Sequence, residues 1–126
     1  MKKPTRTILL VEDDKDILDA LKLLLRDADY AVVATDNGKY LEDLSRNKLP
    51  DIILMDILLS GKDGRDIIRK LKNQEHTKSI PVILISAYPE AKTLWKQSGA
   101  DDFLEKPFDI DVLLSMIKNH LPKNPA

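Results

Sequence analysis

Five side chains that could act together in phosphoryl transfer each stand just after a short apolar run. They are the acids Glu12 and Asp13, the carboxylate of Asp56, the hydroxyl of Ser86 and the ammonium of Lys106. A carboxylate nucleophile beside a divalent cation, an ammonium group and a hydroxyl donor can stabilise the charge that develops on transferred phosphoryl oxygens. Aspartate can itself accept a phosphoryl group covalently. If the fold brings these residues together, they predict phosphoryl transfer centred on Asp56.

The same three acids favour a magnesium site. Three carboxylates at one edge of a protein repel one another, which raises their pKa values unless a cation is present. All three are hard oxygen ligands, they are accompanied by no histidine, and the chain contains no cysteine. Such ligands suit Mg²⁺, which keeps several waters in its coordination shell. We therefore expect Mg²⁺ as the cofactor, with Mn²⁺ as a substitute.

Each of these residues also has a purely structural interpretation. Asp13 or Asp14 could cap the first helix, and for Asp14 we prefer that interpretation. Two acids directly after a buried strand need compensation, which favours a functional role for Glu12 and Asp13. The other three could be a turn aspartate, a structural hydroxyl and a solvated lysine. Their shared position after apolar runs favours a functional role instead.

The apolar runs alternate with segments of helical spacing, which predicts five strand–helix units. The strands are expected at Ile8–Val11, Ala31–Ala34, Ile52–Met55, Val82–Ile85 and Phe103–Leu104. Continuous apolar runs are typical of strands buried on both faces, and strict alternation predicts a parallel sheet with helices on both sides. Helix starts are expected at four possible capping residues, Asp14, Asn37, Asp63 and Asp109. In such α/β folds, ligands bind outside the carboxyl ends of the strands, where the five candidate residues stand.

Length and charge favour one domain that contacts neither nucleic acid nor a membrane. The 126 residues fit a single domain, 1–126, with a core at about 6–121 and a tail or cut linker at 122–126. Twenty basic and 21 acidic side chains give a net charge of -1, unlike the basic surface of a nucleic-acid binder. The apolar run after the basic N-terminus is too short for a secretory signal or a membrane span. We therefore expect a cytoplasmic protein.

Four motifs in order resemble the receiver domain of two-component response regulators, including the chemotaxis regulators. They are Ile8–Asp14, Leu54–Asp56 with Asp63-Gly64, Ile85–Ala87 and Phe103–Phe108. The resemblance covers essentially the whole chain. It implies a flavodoxin-like (βα)5 fold, a doubly wound parallel sheet of strand order 2-1-3-4-5. It also implies a cis peptide bond before Pro107.

The resemblance assigns a role to each candidate residue. Asp56 would accept the phosphoryl group from a sensor histidine kinase or a histidine phosphotransfer protein, with Lys106 and Ser86 as its catalytic partners. The metal ligands would be Asp13 directly, Glu12 through water, Asp56, and the backbone carbonyl of Leu58. Ser86 and Phe103 would form the switch.

The family also implies how such a domain works. It would be a phosphorelay switch rather than a conventional enzyme, although it would catalyse its own aspartyl phosphorylation and autodephosphorylation. Phosphorylation would change the surface formed by the fourth helix, fifth strand and fifth helix, which an output partner reads. A homodimer through that surface and a monomer are both open.

Three positions depart from the family pattern. Ser60 replaces a frequent proline, which removes a constraint on φ from the loop after Asp56. Phe103 replaces a frequent tyrosine, so the switch must work by packing without a phenol hydrogen bond. Leu58 replaces a frequent polar residue, and with Tyr88 it flanks the place where water would attack the acyl phosphate. We expect these two bulky groups to slow autodephosphorylation.

Three other functions fit parts of the sequence. A haloacid-dehalogenase-type phosphatase requires a second aspartate two positions after the nucleophile, where this chain has Leu58. A flavodoxin-like cofactor binder requires a phosphate-binding loop, whereas the acids at 12–14 repel phosphate in the absence of a metal. A degenerate receiver, acting as an unphosphorylated interaction module, is disfavoured by the complete set of five residues but is not excluded by the sequence.

Overall fold

In the part of the chain that the structure describes, the five strands of the main sheet alternate with five helices. A computed structural model describes residues 5–37, 39–42, 44, 49–59 and 62–121, with the backbone alone at 39, 42, 58, 59 and 62. The expected tail at 122–126 and the departure at Ser60 lie outside the described residues. The strands are β1 (Thr7–Val11), β2 (Ala31–Thr35), β3 (Ile52–Asp56), β4 (Val82–Ser86) and β5 (Asp102–Glu105). The helices are α1 (Lys15–Asp27), α2 (Lys39–Glu42), α3 (Gly64–Lys72), α4 (Ala91–Leu94) and α5 (Ile110–His120).

The five strands form one parallel sheet in the order 2-1-3-4-5, which confirms the predicted fold class. Each strand begins and ends within one residue of its predicted bounds. In β1, β3 and β4 the apolar runs are the buried parts of the strands. A separate two-residue antiparallel ribbon pairs Leu58–Leu59 with Lys62–Asp63 and connects β3 to α3.

The sheet separates two apolar layers. One layer packs alternate residues of β1, β3 and β4 against α2, α3 and α4, and Leu41, Ile68 and Ala91 are buried there. The other packs the intervening residues against α1 and α5, and Leu25, Leu113 and Ile117 are buried there. Since both faces are covered, the central strands read as continuous apolar runs in the sequence.

Three of the four predicted capping residues occupy N-cap positions. Asp14, Asp63 and Asp109 have extended backbones, and their side chains accept hydrogen bonds from N–H groups in the first turns of α1, α3 and α5. These bonds satisfy donors that have no partner inside the helix. Asn37 precedes α2, and its backbone carbonyl accepts a hydrogen bond from Tyr40 N at 3.1 Å.

The fourth helix, α4, is short and irregular. It has only four residues and continues directly as a 3₁₀ turn, Trp95–Ser98, which ends at Gly99 with φ of 91°. Among the described residues, every helix is too short or too polar to traverse a bilayer.

Candidate functional site at the carboxyl edge of the sheet

The predicted site residues meet because parallel strands bring their carboxyl ends to the same edge. Asp56 ends β3 and Ser86 ends β4, while Lys106 directly follows β5. Lys106 N donates a hydrogen bond to the Ser86 carbonyl at 2.9 Å, which continues the β4–β5 ladder by one residue. Glu12 directly follows β1, and its N–H donates to the Thr35 carbonyl at 3.1 Å. Backbone pairing therefore fixes the positions of four of the five residues.

The ammonium group of Lys106 joins two of the predicted carboxylates. Its Nζ lies 2.9 Å from Glu12 Oε1 and 2.7 Å from Asp56 Oδ2. The side chains of Lys106, Glu12 and Asp56 are 17%, 5% and 17% exposed. Charge-assisted hydrogen bonds of this kind are stronger than neutral ones, and little water competes for them here. Lys106 thus holds the Asp56 carboxylate in place.

The electrostatics of the cluster reflect burial opposed by pairing. Burial is the main reason that the pKa of the Glu12 carboxyl is raised to about 7; the Lys106 hydrogen bond lowers it, and Asp56 raises it. Burial alone would lower the pKa of Lys106, but the hydrogen bonds that its ammonium donates to Asp56 and Glu12 outweigh burial and raise that pKa. Lys106 is therefore cationic at neutral pH, while burial favours the neutral form of the Glu12 carboxyl.

Asp13 lies one residue beyond Glu12 at the same edge and is exposed. Within the ranges that the structure describes, no three His, Cys, Asp or Glu side chains are grouped closely enough to form a preassembled metal centre. The sequence led us to expect three carboxylates that meet directly. The structure instead shows Glu12 and Asp56 bridged by an ammonium group.

Ser86 is fully buried, and its hydroxyl is tied to the loop that follows it. Ser86 Oγ accepts a hydrogen bond from Tyr88 N at 3.0 Å. The hydroxyl hydrogen is not used in that bond, so Ser86 can still donate to a ligand at the sheet edge. The Tyr88 side chain is 51% exposed.

The loop after Asp56 is held by close backbone packing that the sequence analysis did not foresee. Gly64 N donates to the Ile57 carbonyl at 2.5 Å. A Cβ at Gly64 would lie 2.9 Å from the carbonyl oxygens of both Asp56 and Ile57. Leu58 begins the ribbon, and Asp63 ends it opposite Leu58. The Asp63-Gly64 dipeptide, which belongs to one of the four family motifs, is the signal in the sequence for this contact.

Two open grooves adjoin the carboxyl-edge site. One, of about 390 Å³, lies beside Lys106 and is lined mainly by apolar parts of Ile17, Ala20, Leu21, Ala87, Pro107 and Phe108. The other, of about 370 Å³, lies between the ribbon and α4 and includes Ile57, Arg65, Tyr88 and Leu94. The peptide bond between Lys106 and Pro107 is cis, as the resemblance implied.

The fold and the site together define an α/β domain with an aspartate, a glutamate, a serine and a lysine at the carboxyl edge of its sheet. A profile of the response regulator receiver domain matches residues 8–118. The chain belongs to this family. Domains of the family are phosphorylation switches in two-component signalling, and membership implies a phosphoacceptor role.

Solved structures with the same fold include receiver domains from kinases and regulators. The receiver domain of a signal transduction histidine kinase from Syntrophus aciditrophicus is 31% identical over 97% of this chain and 98% of that one, with a TM-score of 0.85. That of sensor histidine kinase PA1611 from Pseudomonas aeruginosa, with magnesium in its active-site cleft, is 28% identical over 92% and 97%, with a TM-score of 0.83. The response regulator TrrA from Thermotoga maritima, complexed with Mg²⁺–BeF, is 25% identical over 93% and 100%, with a TM-score of 0.82.

Proposed function

We propose that Asp56 accepts a phosphoryl group from the phosphohistidine of a sensor histidine kinase or a histidine phosphotransfer protein. The observation that carries the proposal is the Lys106 ammonium, which lies 2.7 Å from Asp56 Oδ2 at the carboxyl edge of the sheet. Membership of the receiver family, whose profile matches residues 8–118, supports it. An oxygen of Asp56 would attack phosphorus while the phosphorus–nitrogen bond to imidazole breaks. Such a donor works in the cytoplasm, where we also place this domain.

Lys106 and Ser86 would act as catalytic partners once the phosphoryl group arrives. Lys106 would exchange its bond with the Asp56 carboxylate for one with a phosphoryl oxygen, because the phosphorylated aspartate carries its added charge there. The buried Ser86 hydroxyl would donate to another of these oxygens. By supplying these groups, the domain would catalyse its own phosphorylation.

The oxygen ligands at this edge fit a hard divalent cation. Glu12 and Asp56 are carboxylates with one ammonium between them, and Asp13 is exposed beside them. We propose that Asp13 and Asp56 bind Mg²⁺ directly, with Glu12 through water and the Leu58 carbonyl as a further ligand; Mn²⁺ would substitute. When bound, the metal would neutralise charge on the phosphoryl oxygens during transfer. Magnesium in the PA1611 and TrrA structures supports this proposal.

The switch would run from Ser86 to the surface formed by α4, β5 and α5. Ser86 Oγ is bonded to Tyr88 N, so a hydroxyl drawn toward a phosphoryl group takes part of the loop with it. Phe103 would then repack, and an output partner would distinguish the two surfaces. Association of two copies through this surface belongs to the same proposal. Phosphorylation would shift the populations of two existing conformations and would not create a new fold.

The rate of autodephosphorylation would depend on Leu58 and Tyr88. The Tyr88 ring is half exposed on the loop after β4, and Leu58 begins the ribbon after Asp56. The side chain of Leu58 lies outside the described part of the structure. Shielding of the acyl phosphate by these two residues therefore stays a prediction.

Intact-mass measurement after incubation with acetyl phosphate and Mg²⁺ tests the acceptor. We expect a gain of one phosphoryl group in the wild type, and none in Asp56→Asn or with EDTA. Asp66→Asn, which changes an exposed aspartate of α3, is the matched control and should still be phosphorylated. If acetyl phosphate gives no gain, a phosphorylated histidine kinase is the second donor; failure with both donors overturns the proposal in favour of an unphosphorylated interaction module.

A further inference from the structure

The segment formed by α4 and the following 3₁₀ turn, residues 91–98, is weakly anchored. The N-cap residue of α4, Glu90, makes no side-chain hydrogen bond to the helix, whereas the N-cap residues of α1, α3 and α5 do. A single helical turn has few internal hydrogen bonds, and the 3₁₀ turn that follows it has poorer hydrogen-bond geometry than an α-helix. Within the segment only Ala91 and Ser98 are buried. The position of the segment must therefore depend on a few contacts with its neighbours.

One contact of this kind is an aromatic stack between the segment and β5. The rings of Trp95 and Phe103 lie 6.3 Å apart between centroids, with 14° between their planes. Lys96 Nζ lies 5.8 Å from the centroid of the Trp95 ring, and Lys92 Nζ lies 3.5 Å from Glu105 Oε2 on β5. The Lys92 pair is exposed on both sides and contributes little. The stack is partly buried against the core layer that contains α3, so it is the stronger attachment of the segment to β5.

The same segment is also connected to Ser86. Ser86 Oγ accepts from Tyr88 N at 3.0 Å, and the Tyr88 carbonyl accepts from Ala91 N at 3.2 Å. One end of the segment is thus tied to one proposed switch residue, Ser86, and its middle is stacked on the other, Phe103. A movement of Ser86 reaches Trp95 through the loop and α4.

We propose that Trp95 is a positioning residue of the switch, whose stack on Phe103 stabilises the unphosphorylated state and is released when Asp56 is phosphorylated. The inference rests on the phosphoacceptor function proposed above. The stack coexists with Lys106 bound to the Asp56 carboxylate, which is the arrangement expected before phosphorylation. A tyrosine at this position could be held by a hydrogen bond from its hydroxyl. Phe103 has no hydroxyl, so stacking on Trp95 holds its ring instead.

Beryllofluoride with Mg²⁺, a mimic of the phosphoryl group, provides the test on the full chain. Its affinity is measured by calorimetry for the wild type, Trp95→Leu and Trp95→Phe. Because the stack opposes the bound state, Trp95→Leu should bind about three- to tenfold more tightly, the range expected for one aromatic pair. Trp95→Phe, which keeps a ring that can stack, should stay within about twofold of the wild type. In a Phe103→Leu background, Trp95→Leu should have no further effect.

A second readout needs no substitution, since Trp95 is the only tryptophan of the chain. Its emission should change on beryllofluoride binding in the wild type and stay constant in Asp56→Asn. Beryllofluoride binding by the wild type with no emission change, or with unchanged or weaker affinity in Trp95→Leu, overturns the role of Trp95 and leaves the phosphoacceptor function intact. A lowered unfolding temperature in Trp95→Leu with unchanged affinity is the result of a merely structural role. No binding by the wild type overturns both proposals.

Discussion

At the scale of single residues, adding one methyl group at Gly64 should disturb the backbone that positions Asp56. Its missing Cβ allows the start of α3 to approach the backbone of Asp56 and Ile57. In Gly64→Ala the new methyl group would lie 2.9 Å from two carbonyl oxygens, and backbone cannot move aside as a flexible side chain can. We expect a loss of about 1–3 kcal/mol in the free energy of unfolding and slower phosphorylation of Asp56 by acetyl phosphate.

Urea unfolding and the phosphorylation rate, followed by intact mass, check this prediction together. Lys72→Met provides a control that is destabilised far from the carboxyl edge and should keep the wild-type rate. A Gly64→Ala protein with wild-type stability and rate would show that the backbone relaxes without displacing Asp56.

Residue types and their place after apolar runs were sufficient to predict which side chains meet at the sheet edge. Glu12, Asp56, Ser86 and Lys106 do meet there, because each apolar run is a strand of one parallel sheet. The pattern could not predict that Lys106 bridges Glu12 and Asp56, since side-chain pairing depends on distances that a sequence does not contain. The aromatic stack of Trp95 on Phe103 was missed for the same reason: residues eight apart in the chain meet only through the turn at Gly99.

At the scale of elements, α3 begins with a cap whose strength should depend on pH. Asp63 Oδ1 accepts from Arg65 N at 2.9 Å, and Arg65 Nη2 lies 2.6 Å from Asp63 Oδ2. The hydrogen bonds from Arg65 are the main reason that the pKa of Asp63 is lowered. A lowered carboxyl pKa in the folded state adds stability that is present above the unfolded value of about 4 and is lost as pH falls through the folded value.

Asp63→Asn keeps an oxygen that can cap the helix but loses the charge. We expect it to be less stable than the wild type at pH 7, and the difference should shrink as the pH falls below about 4. Asp63→Ala also loses the cap and should cost about 1 kcal/mol at neutral pH. Urea unfolding at both pH values measures these differences. A gap between wild type and Asp63→Asn that is constant down to the lowest pH would mean that the charge of the Asp63 carboxylate is not the source of the difference.

The strands could be predicted from the sequence where their residues are fully buried. The runs in β1, β3 and β4 are buried on both faces, so they were unambiguous in the sequence. β5 was predicted at two residues and has four, because its outer positions are polar: Asp102 and Glu105. Ala91, Leu94 and Trp95 recur at the spacing of a short helix, and α4 with the 3₁₀ turn after it contains all three. The spacing of apolar residues does not predict that α4 is followed by a 3₁₀ turn. In that turn the Ser98 hydroxyl, a polar group, donates a hydrogen bond to the Trp95 carbonyl.

At the scale of the whole molecule, the proposed functional residues and a polar cluster around Lys72 lie at opposite edges of the sheet. The proposed functional residues follow the carboxyl ends of the strands. The amino ends of β4 and β5 are tied by Lys72, the last residue of α3, whose Nζ donates to the Ile80 carbonyl at 2.9 Å and to Asp101 Oδ2 at 2.8 Å. Asp101 Oδ2 also accepts from Val82 N at 2.8 Å. One lysine therefore joins a helix to the starts of two strands.

Lys72→Met should lower stability without affecting the proposed function. The substitution keeps the aliphatic stem and removes the charged donor, leaving the Ile80 carbonyl and Asp101 without this partner. We expect a loss of about 1–2 kcal/mol in the free energy of unfolding, with the Asp56 phosphorylation rate unchanged.

The control is Lys78→Met, the same substitution at a lysine that forms an exposed ion pair with Glu75. Such surface pairs contribute about 0–1 kcal/mol. Equal stability losses in the two variants would mean that the Lys72 contacts are as weak as a surface ion pair. A slower phosphorylation rate in Lys72→Met would mean that the two edges of the sheet are coupled through α3, which begins at Gly64 against Asp56 and ends at Lys72.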